Sequence, residues 1–412
     1  MNLEINISQL SSELEHLAGF SDAPSPAVTR VLWTETDMKA RVWLKSLVLE
    51  AGFLWREDAL GNTFICWQGS DASLAPIGTG SHTDAIPHSG RFDGTVGVLG
   101  GLEALQALKG SGFQPRRSLE VVMFTAEEPT RFGLGCLGSR AVVGAISLEN
   151  LRALKDPEGI DLETARKNAG YTAPLETVKL EPGHYAGFVE LHIEQGPLLE
   201  QQNLEIGLVT FIAAPASFFV RLTGEGGHAG ARLMPGRRDA LLAAAEIALE
   251  VERAALATGA IDSVGTTGIL NLHPGAINSI PSRAELGIDM RDIDGSRRDA
   301  MVQQVLEAIE SICSRRNVTY ELEMLNADPP ATSSLEILAA ARAACNDMNI
   351  TPLEMVSRAY HDSLFMARLS PVAMIFIPCK GGVSHRPDEY AKPQDIARGV
   401  ELLARTLARL SS

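Results

Sequence analysis

The chain has 412 residues, 45% hydrophobic and 21% charged, enough to build packed cores in two or three domains. A formal net charge of −15 with no basic stripe argues against nucleic-acid and anionic-membrane partners, since both need clustered Lys and Arg. No apolar run approaches the roughly 18 residues of a membrane span. The start, Met1-Asn2-Leu3-Glu4, has neither the basic nor the apolar region of a signal peptide. Five scattered cysteines (Cys66, Cys136, Cys313, Cys345 and Cys379), never spaced C-x-x-C, fit a reducing compartment, so a cytoplasmic location is expected.

Two amphipathic helices are predicted first, at 6–19 and 27–51; the second carries Leu32, Val42, Leu44, Leu47 and Leu49 and stops at Gly52. Strands follow at 75–81, 118–125 and 187–193, with a helix at 95–109 between the first two. This alternation predicts an α/β layer with a mostly parallel sheet and ligand sites at the carboxyl ends of its strands. From 213 to 328 the rhythm changes to strand 217–222, helix 239–257, strands 265–272 and 283–290, helix 297–315 and strand 318–324. That β-α-β-β-α-β order predicts a ferredoxin-like α+β insertion. After Asp328-Pro329-Pro330 the α/β pattern resumes, with a strand at 372–377 and a closing helix at 393–410. The reading is one discontinuous α/β domain, 1–212 and 329–412, carrying a lid at 213–328.

Chemistry-bearing residues gather at the predicted strand ends. Gly80-Ser81-His82-Thr83-Asp84 closes one strand, Asp93-Gly94 follows, and Glu127-Glu128 comes after the next. His192 ends a third strand and His385 follows a fourth. Singly, a histidine at a strand end is more often a hydrogen-bonded structural residue, and a glutamate pair a solvated loop. Five such groups on one rim of a sheet point instead to a metal centre, and imidazole with carboxylate suits Zn, Mn or Co. Two ions ~3.5–4 Å apart, sharing a carboxylate, turn water into a nucleophile near neutral pH and polarise a carbonyl. Asp84, two residues past His82, is placed to accept that ring's other N–H. Neighbours at a strand end point apart, so one of Glu127 and Glu128 can ligate while the other carries a proton.

These motifs, with Gly90-Arg91-Phe92-Asp93-Gly94, His192-Ile193-Glu194-Gln195-Gly196 and Ser384-His385-Arg386-Pro387-Asp388-Glu389, resemble the M20 metallopeptidase superfamily. The resemblance spans nearly the whole chain and is strongest to the hydantoinase/carbamoylase branch, whose members hydrolyse ureido and carbamoyl C–N bonds. It implies a zinc-exopeptidase-like catalytic domain holding two divalent ions per subunit, Mn2+ or Zn2+. Asp93 would bridge them, with His82 and His192 completing one site and Glu128 and His385 the other. Glu127 falls on the general acid/base. His228, in Gly226-Gly227-His228-Ala229-Gly230, matches a lid histidine that reaches the partner subunit's site and stabilises the oxyanion, which implies a homodimer formed through the lid. Asn278 and Arg291 match residues that grip a substrate carboxylate, and Gln195 and His361 match further substrate contacts. On chemistry alone, His228 is equally a turn residue, Arg291 a surface salt-bridge partner, and Cys136 a packing residue.

Within the branch, Asp84-Ala85-Ile86-Pro87-His88-Ser89-Gly90, Glu128-Pro129-Thr130-Arg131-Phe132-Gly133 and Ala359-Tyr360-His361-Asp362-Ser363 are most similar to members acting on ureidoglycolate. The expected activity is therefore hydrolysis of the ureido group of a small anionic substrate, (S)-ureidoglycolate first. N-carbamoyl-L-amino acids and allantoate are the alternatives within the branch. A non-catalytic, metal-bearing binding module is the alternative outside it, and the retained Glu127 weighs against that. The short interval between His82 and Asp93 sets the chain apart from aminopeptidase relatives.

Overall fold

The computed structural model describes residues 3–412, so Met1 and Asn2, part of the expected leaderless start, lie outside the described residues. Contacts divide the chain into two compact units. One runs to Thr210 and adds Thr332–Met355 and His361–Ser412; the other is Phe211–Ala331 with Val356–Tyr360.

The first unit is built on a nine-stranded mixed sheet. Its centre is parallel, in the order Val372–Ile377, Gly187–Ile193, Ile77–His82, Leu119–Phe124. Antiparallel strands Thr63–Trp67 and Leu54–Glu57 extend one side. The central strands are buried along their whole length, which is why Val372–Ile377 reads as an unbroken apolar run. Successive residues point to opposite faces. Val121, Leu191 and Ile375 join the core under helices Ile7–Gly19, Thr95–Gly110 and Pro393–Ser411, while Val122, Phe124 and Phe188 join a second core on the other side. Gly80 is required between two central strands. It sits at φ +137, and a Cβ there would lie 1.9 Å from the carbonyl oxygen of Val122.

The expected helix at 27–51 is corrected. Val28–Arg30 is a short strand pairing with Ala85–Ser89, and the helix begins only at Glu35. Thr34 stops it from starting earlier: its hydroxyl accepts the amide of Asp37 and its backbone is extended, as an N-cap requires.

The second unit is a four-stranded antiparallel sheet in the order Val264–His273, Arg283–Asp292, Ala214–Thr223, Thr319–Ala327. Helices Ala240–Ala257 and Gly295–Arg316 cover one face, burying Phe218, Val220, Leu286 and Ile288 against Ile247, Val251, Val305 and Ile309. Asp239 and Asp294 cap the two helices with their side chains. Strand order and connectivity are those of the split β-α-β sandwich. Among the described residues, no helix is long and apolar enough to cross a membrane.

Candidate metal centre

Four side chains from separate segments of the first unit, His82, Glu128, His192 and His385, gather around Asp93. Its Oδ1 lies 3.5 Å from Nε2 of His82 and 3.1 Å from Nε2 of His192. Its Oδ2 lies 3.2 Å from Nε2 of His385, and that nitrogen is 3.2 Å from Oε1 of Glu128. Among the described residues, His82, Asp93 and His192 form one group able to hold a metal ion, and Asp93, Glu128 and His385 another.

The hydrogen bonding of His82 and His192 fits a cation in the first group. Nδ1 of His82 meets the carbonyl oxygen of Asp84 at 3.1 Å, and Nδ1 of His192 meets that of Ile193 at 2.8 Å. A carbonyl only accepts, so each ring donates there and leaves its Nε2 as a lone pair. The Gly94 amide donates to that lone pair on His192 at 3.2 Å, consistent with the same tautomer. Two lone pairs turned on one carboxylate oxygen repel unless a positive charge sits among them. Burial alone would lower the His82 pKa, but the Glu127, Asp93 and Asp84 carboxylates raise it well above its usual value. Hydrogen bonds that His385 donates to the Asp93 and Glu128 carboxylates push its pKa up to about 11.

Backbone strain shapes this rim. Ala126, Gln195 and His385 all adopt left-handed φ values (51, 55 and 58), each one to three residues from a group in the cluster or within it. Gly94 does so too, at φ 66, and a Cβ there would meet the His82 ring at 2.4 Å.

The glutamate pair splits as expected. Glu128 faces His385, whereas Glu127 stands 3.8 Å from His82 through Oε2 and accepts the Cys136 thiol at 3.4 Å on Oε1. Burial, with the Glu128 and Asp362 carboxylates, raises the Glu127 pKa well above the usual carboxylate value despite His82. Cys136 is fully buried, and burial with the neighbouring Glu127 carboxylate raises its thiol well above its ordinary value.

Asp84 meets the His82 ring chiefly through its backbone. Its carboxylate accepts the amides of Glu127 and Glu128, at 3.2 and 3.0 Å, while its backbone carbonyl takes the closer contact with His82. The carboxylate stands 3.6 Å from that ring.

Gln195 donates from Nε2 to Oδ2 of Asp93 at 2.7 Å. His361 is buried, its ring edge-on to His192 with centroids 4.7 Å apart; burial and His192 push its pKa well below the usual value. His228, Asn278 and Arg291 belong to the second unit. Nδ1 of His228 accepts the amides of Gly230 and Ala231, so its exposed Nε2 carries the hydrogen. Asn278 lies beside it, with its carbonyl taking the Ala229 amide. Arg291 is paired with Asp289 at 2.6 Å and donates to the Arg358 carbonyl.

Three buried carboxylates escaped the motif reading. Glu389 accepts the amides of Phe92 and Asp93 on Oε1, and Ser384 Oγ lies 2.8 Å from both Glu389 Oε2 and Asp93 Oδ2. Glu190 lies beneath His192, and Asp362, held by Ser139 at 2.5 Å, is pushed up to about 8 by burial and Glu190. Each lies in or beside a quoted segment, but its partner is remote in sequence.

The sequence model of peptidase family M20/M25/M40 matches residues 78–409, and the chain belongs to that family of hydrolases. It is 52% identical to an Arabidopsis thaliana ureidoglycolate hydrolase, over 100% of this chain and 88% of the relative. It is 37% identical to a Geobacillus stearothermophilus N-carbamoyl-L-amino acid amidohydrolase, over 98% of each chain. The crystal structure of AtUAH in complex with (S)-hydroxyglycine superposes with a TM-score of 0.90 at 51% identity, over 99% of this chain and 98% of that one.

Proposed function

We propose that this chain is a metal-dependent amidohydrolase that cleaves the ureido C–N bond of (S)-ureidoglycolate. The observation that carries the reading is Asp93, whose two oxygens face three imidazoles and share one of them with Glu128. His82, Asp93 and His192 would hold one divalent ion and Asp93, Glu128 and His385 a second, Mn2+ or Zn2+. Bound there, the ions would polarise the ureido carbonyl and acidify water. Identity to the plant ureidoglycolate hydrolase over the whole chain supports the substrate choice.

Glu127 is the proton carrier. It takes a proton from water as that water attacks the ureido carbon, then returns it to the departing nitrogen. A carboxyl with a raised pKa suits both transfers. Asp84 fixes the backbone that aims Glu127 and Glu128 in different directions. His228 offers Nε2–H to the developing oxyanion. Arg291 holds the substrate carboxylate by its planar fork, and Asn278, which lies beside His228, reaches that carboxylate from the partner subunit together with His228. Gln195 and His361 line the pocket.

The second unit is the lid and the dimerisation surface in this reading. His228 sits past the Arg283 end of strand Arg283–Asp292, and Arg291 lies at the other end. Eight residues of strand separate these ends by about 26 Å. One lid cannot bring both to one small substrate, so His228 and Arg291 of a chain serve different sites, as a homodimer allows. The edge strand Val264–His273 and its neighbouring helix expose Ile269, Leu270, Leu249 and Leu256, apolar surface suited to self-association.

The test is a substrate panel on the manganese-loaded protein, following ammonia release from (S)-ureidoglycolate, allantoate and N-carbamoyl-L-amino acids. Ureidoglycolate is expected to be fastest. Preference for an N-carbamoyl amino acid would move the chain to the activity of its Geobacillus relative. Turnover of none would leave a metal-bearing binding module.

A further inference from the structure

The backbone ladder between Ile77–His82 and Gly187–Ile193 runs from Ile77 to Thr79, opposite Gly187 to Val189. Past that point one strand goes on to Ser81 and His82 and the other to Glu190 and His192. Glu190 is 1% exposed, and its carboxylate spans the region the ladder leaves. Oε1 accepts the hydroxyl of Ser81 at 2.7 Å, while Oε2 accepts the hydroxyl of Ser363 at 2.6 Å and its amide at 3.1 Å.

The two serines are neighbours of groups in the centre. Ser81 precedes His82, and Ser363 stands two residues after His361. Glu190 also shares a strand face with His192, two residues on, and brings an oxygen within 4.8 Å of ring nitrogens of both His192 and His361. A buried carboxylate is costly unless its oxygens are hydrogen-bonded. Here that requirement is met by donors from two other segments, so the three are held in one geometry. Although Glu190, His192 and His361 could hold an ion by proximity, the Glu190 oxygens are already engaged by the serines.

We propose that Glu190 is a positioning residue, which through Ser81 sets how His82 meets its ion and through Ser363 sets where His361 meets the substrate. This rests on the metal and substrate roles proposed above. The arms are separable: Ser81→Ala frees the segment carrying His82, and Ser363→Ala the segment carrying His361. Glu190→Gln keeps the shape, with a carboxamide oxygen for Ser363 and an NH2 that Ser81 can accept from after its hydroxyl rotates.

The experiment measures manganese binding by equilibrium dialysis, KM and kcat for (S)-ureidoglycolate, and the melting temperature, on the full-length chain and the three variants. Ser81→Ala is expected to weaken binding of one of the two ions by roughly 10–100-fold, the usual effect of losing support behind a ligand. Ser363→Ala should raise KM with metal affinity kept, and Glu190→Gln should lie nearer the wild type in both. The proposal is overturned if, well below each melting temperature, both serine variants bind manganese and substrate within threefold of the wild type. Each serine variant removes a single hydroxyl and leaves the other tie, so a folding failure of Glu190→Gln would not prevent the decision. A wild-type chain that binds no manganese would instead overturn the metal reading on which this rests.

Discussion

Oδ2 of Asp84 accepts the backbone amide of Glu128 at 3.0 Å, and the other oxygen of the same carboxylate takes the amide of Glu127 at 3.2 Å. A side chain two residues from His82 thus sets the path of the segment holding Glu127 and Glu128, the residues proposed as proton carrier and as ligand to a second ion. Asp84→Asn leaves a single acceptor for two amides and turns an NH2 toward the other. Manganese affinity should fall roughly 10–100-fold and kcat with it. Unaltered metal affinity and turnover in this variant would show that the backbone holds itself.

Glu127→Gln tests the proton carrier. The amide matches the carboxyl in size but cannot take the proton, so kcat should fall roughly 10²–10⁴-fold. Metal content, read by elemental analysis, should remain at two ions per chain. A variant of near-normal rate would remove Glu127 from the mechanism.

The strand that separates His228 from Arg291 yields a complementation test. His228→Ala and Glu127→Gln should each be nearly inactive alone. Co-expressed in equal amounts, they would form mixed dimers if the proposed homodimer holds, and in each the Glu127-bearing site would receive an intact His228 from its partner. About a quarter of wild-type activity should return, because half the dimers are mixed and each has one complete site. No recovery in isolated mixed dimers would place His228 in its own chain's site.

Glu103 gives a pH dependence away from the metal centre. It accepts the Asn6 amide at 2.6 Å, and burial raises its pKa to about 7, from 4.5 in the unfolded chain. Between those values the folded chain holds a proton that the unfolded chain releases, so stability falls as pH rises from 4.5 to 7. Glu103→Gln keeps the acceptor and removes the titration. Its unfolding midpoint in urea should change less over this window than that of the wild type, and equal slopes would discount the group.

What the sequence disclosed followed from local rules. His82, Glu128, His192 and His385 were legible because each follows or ends a run of residues buried on both faces of the sheet, and Asp93 because its Asp-Gly pair comes shortly after the first of them. The second unit's elements were legible from period and spacing. The start of the second helix was misplaced because Leu32 continues the helical apolar pattern, although Thr34 and Asp37 supply the cap that excludes it. Glu190, Asp362 and Glu389 were illegible as site residues for a different reason. Their partners lie 173, 223 and 296 positions away, and no local pattern records a hydrogen bond across that interval. Asp84 was legible as a neighbour of the His82 ring, but the two amides its carboxylate holds, 43 and 44 residues on, were not.

The grip of Glu389 on the amides of Phe92 and Asp93 has a bearing on biosynthesis. The segment around Asp93 leaves the ribosome early, and the residue that fixes its backbone emerges almost last. Until then the nascent chain lacks His385 as well, so the grouping of Asp93 with Glu128 and His385 exists only in a chain synthesised almost to its end. In the proposed reading, a fragment cut short before His385 would keep at most the grouping of His82, Asp93 and His192, one cradle where the whole polypeptide has two.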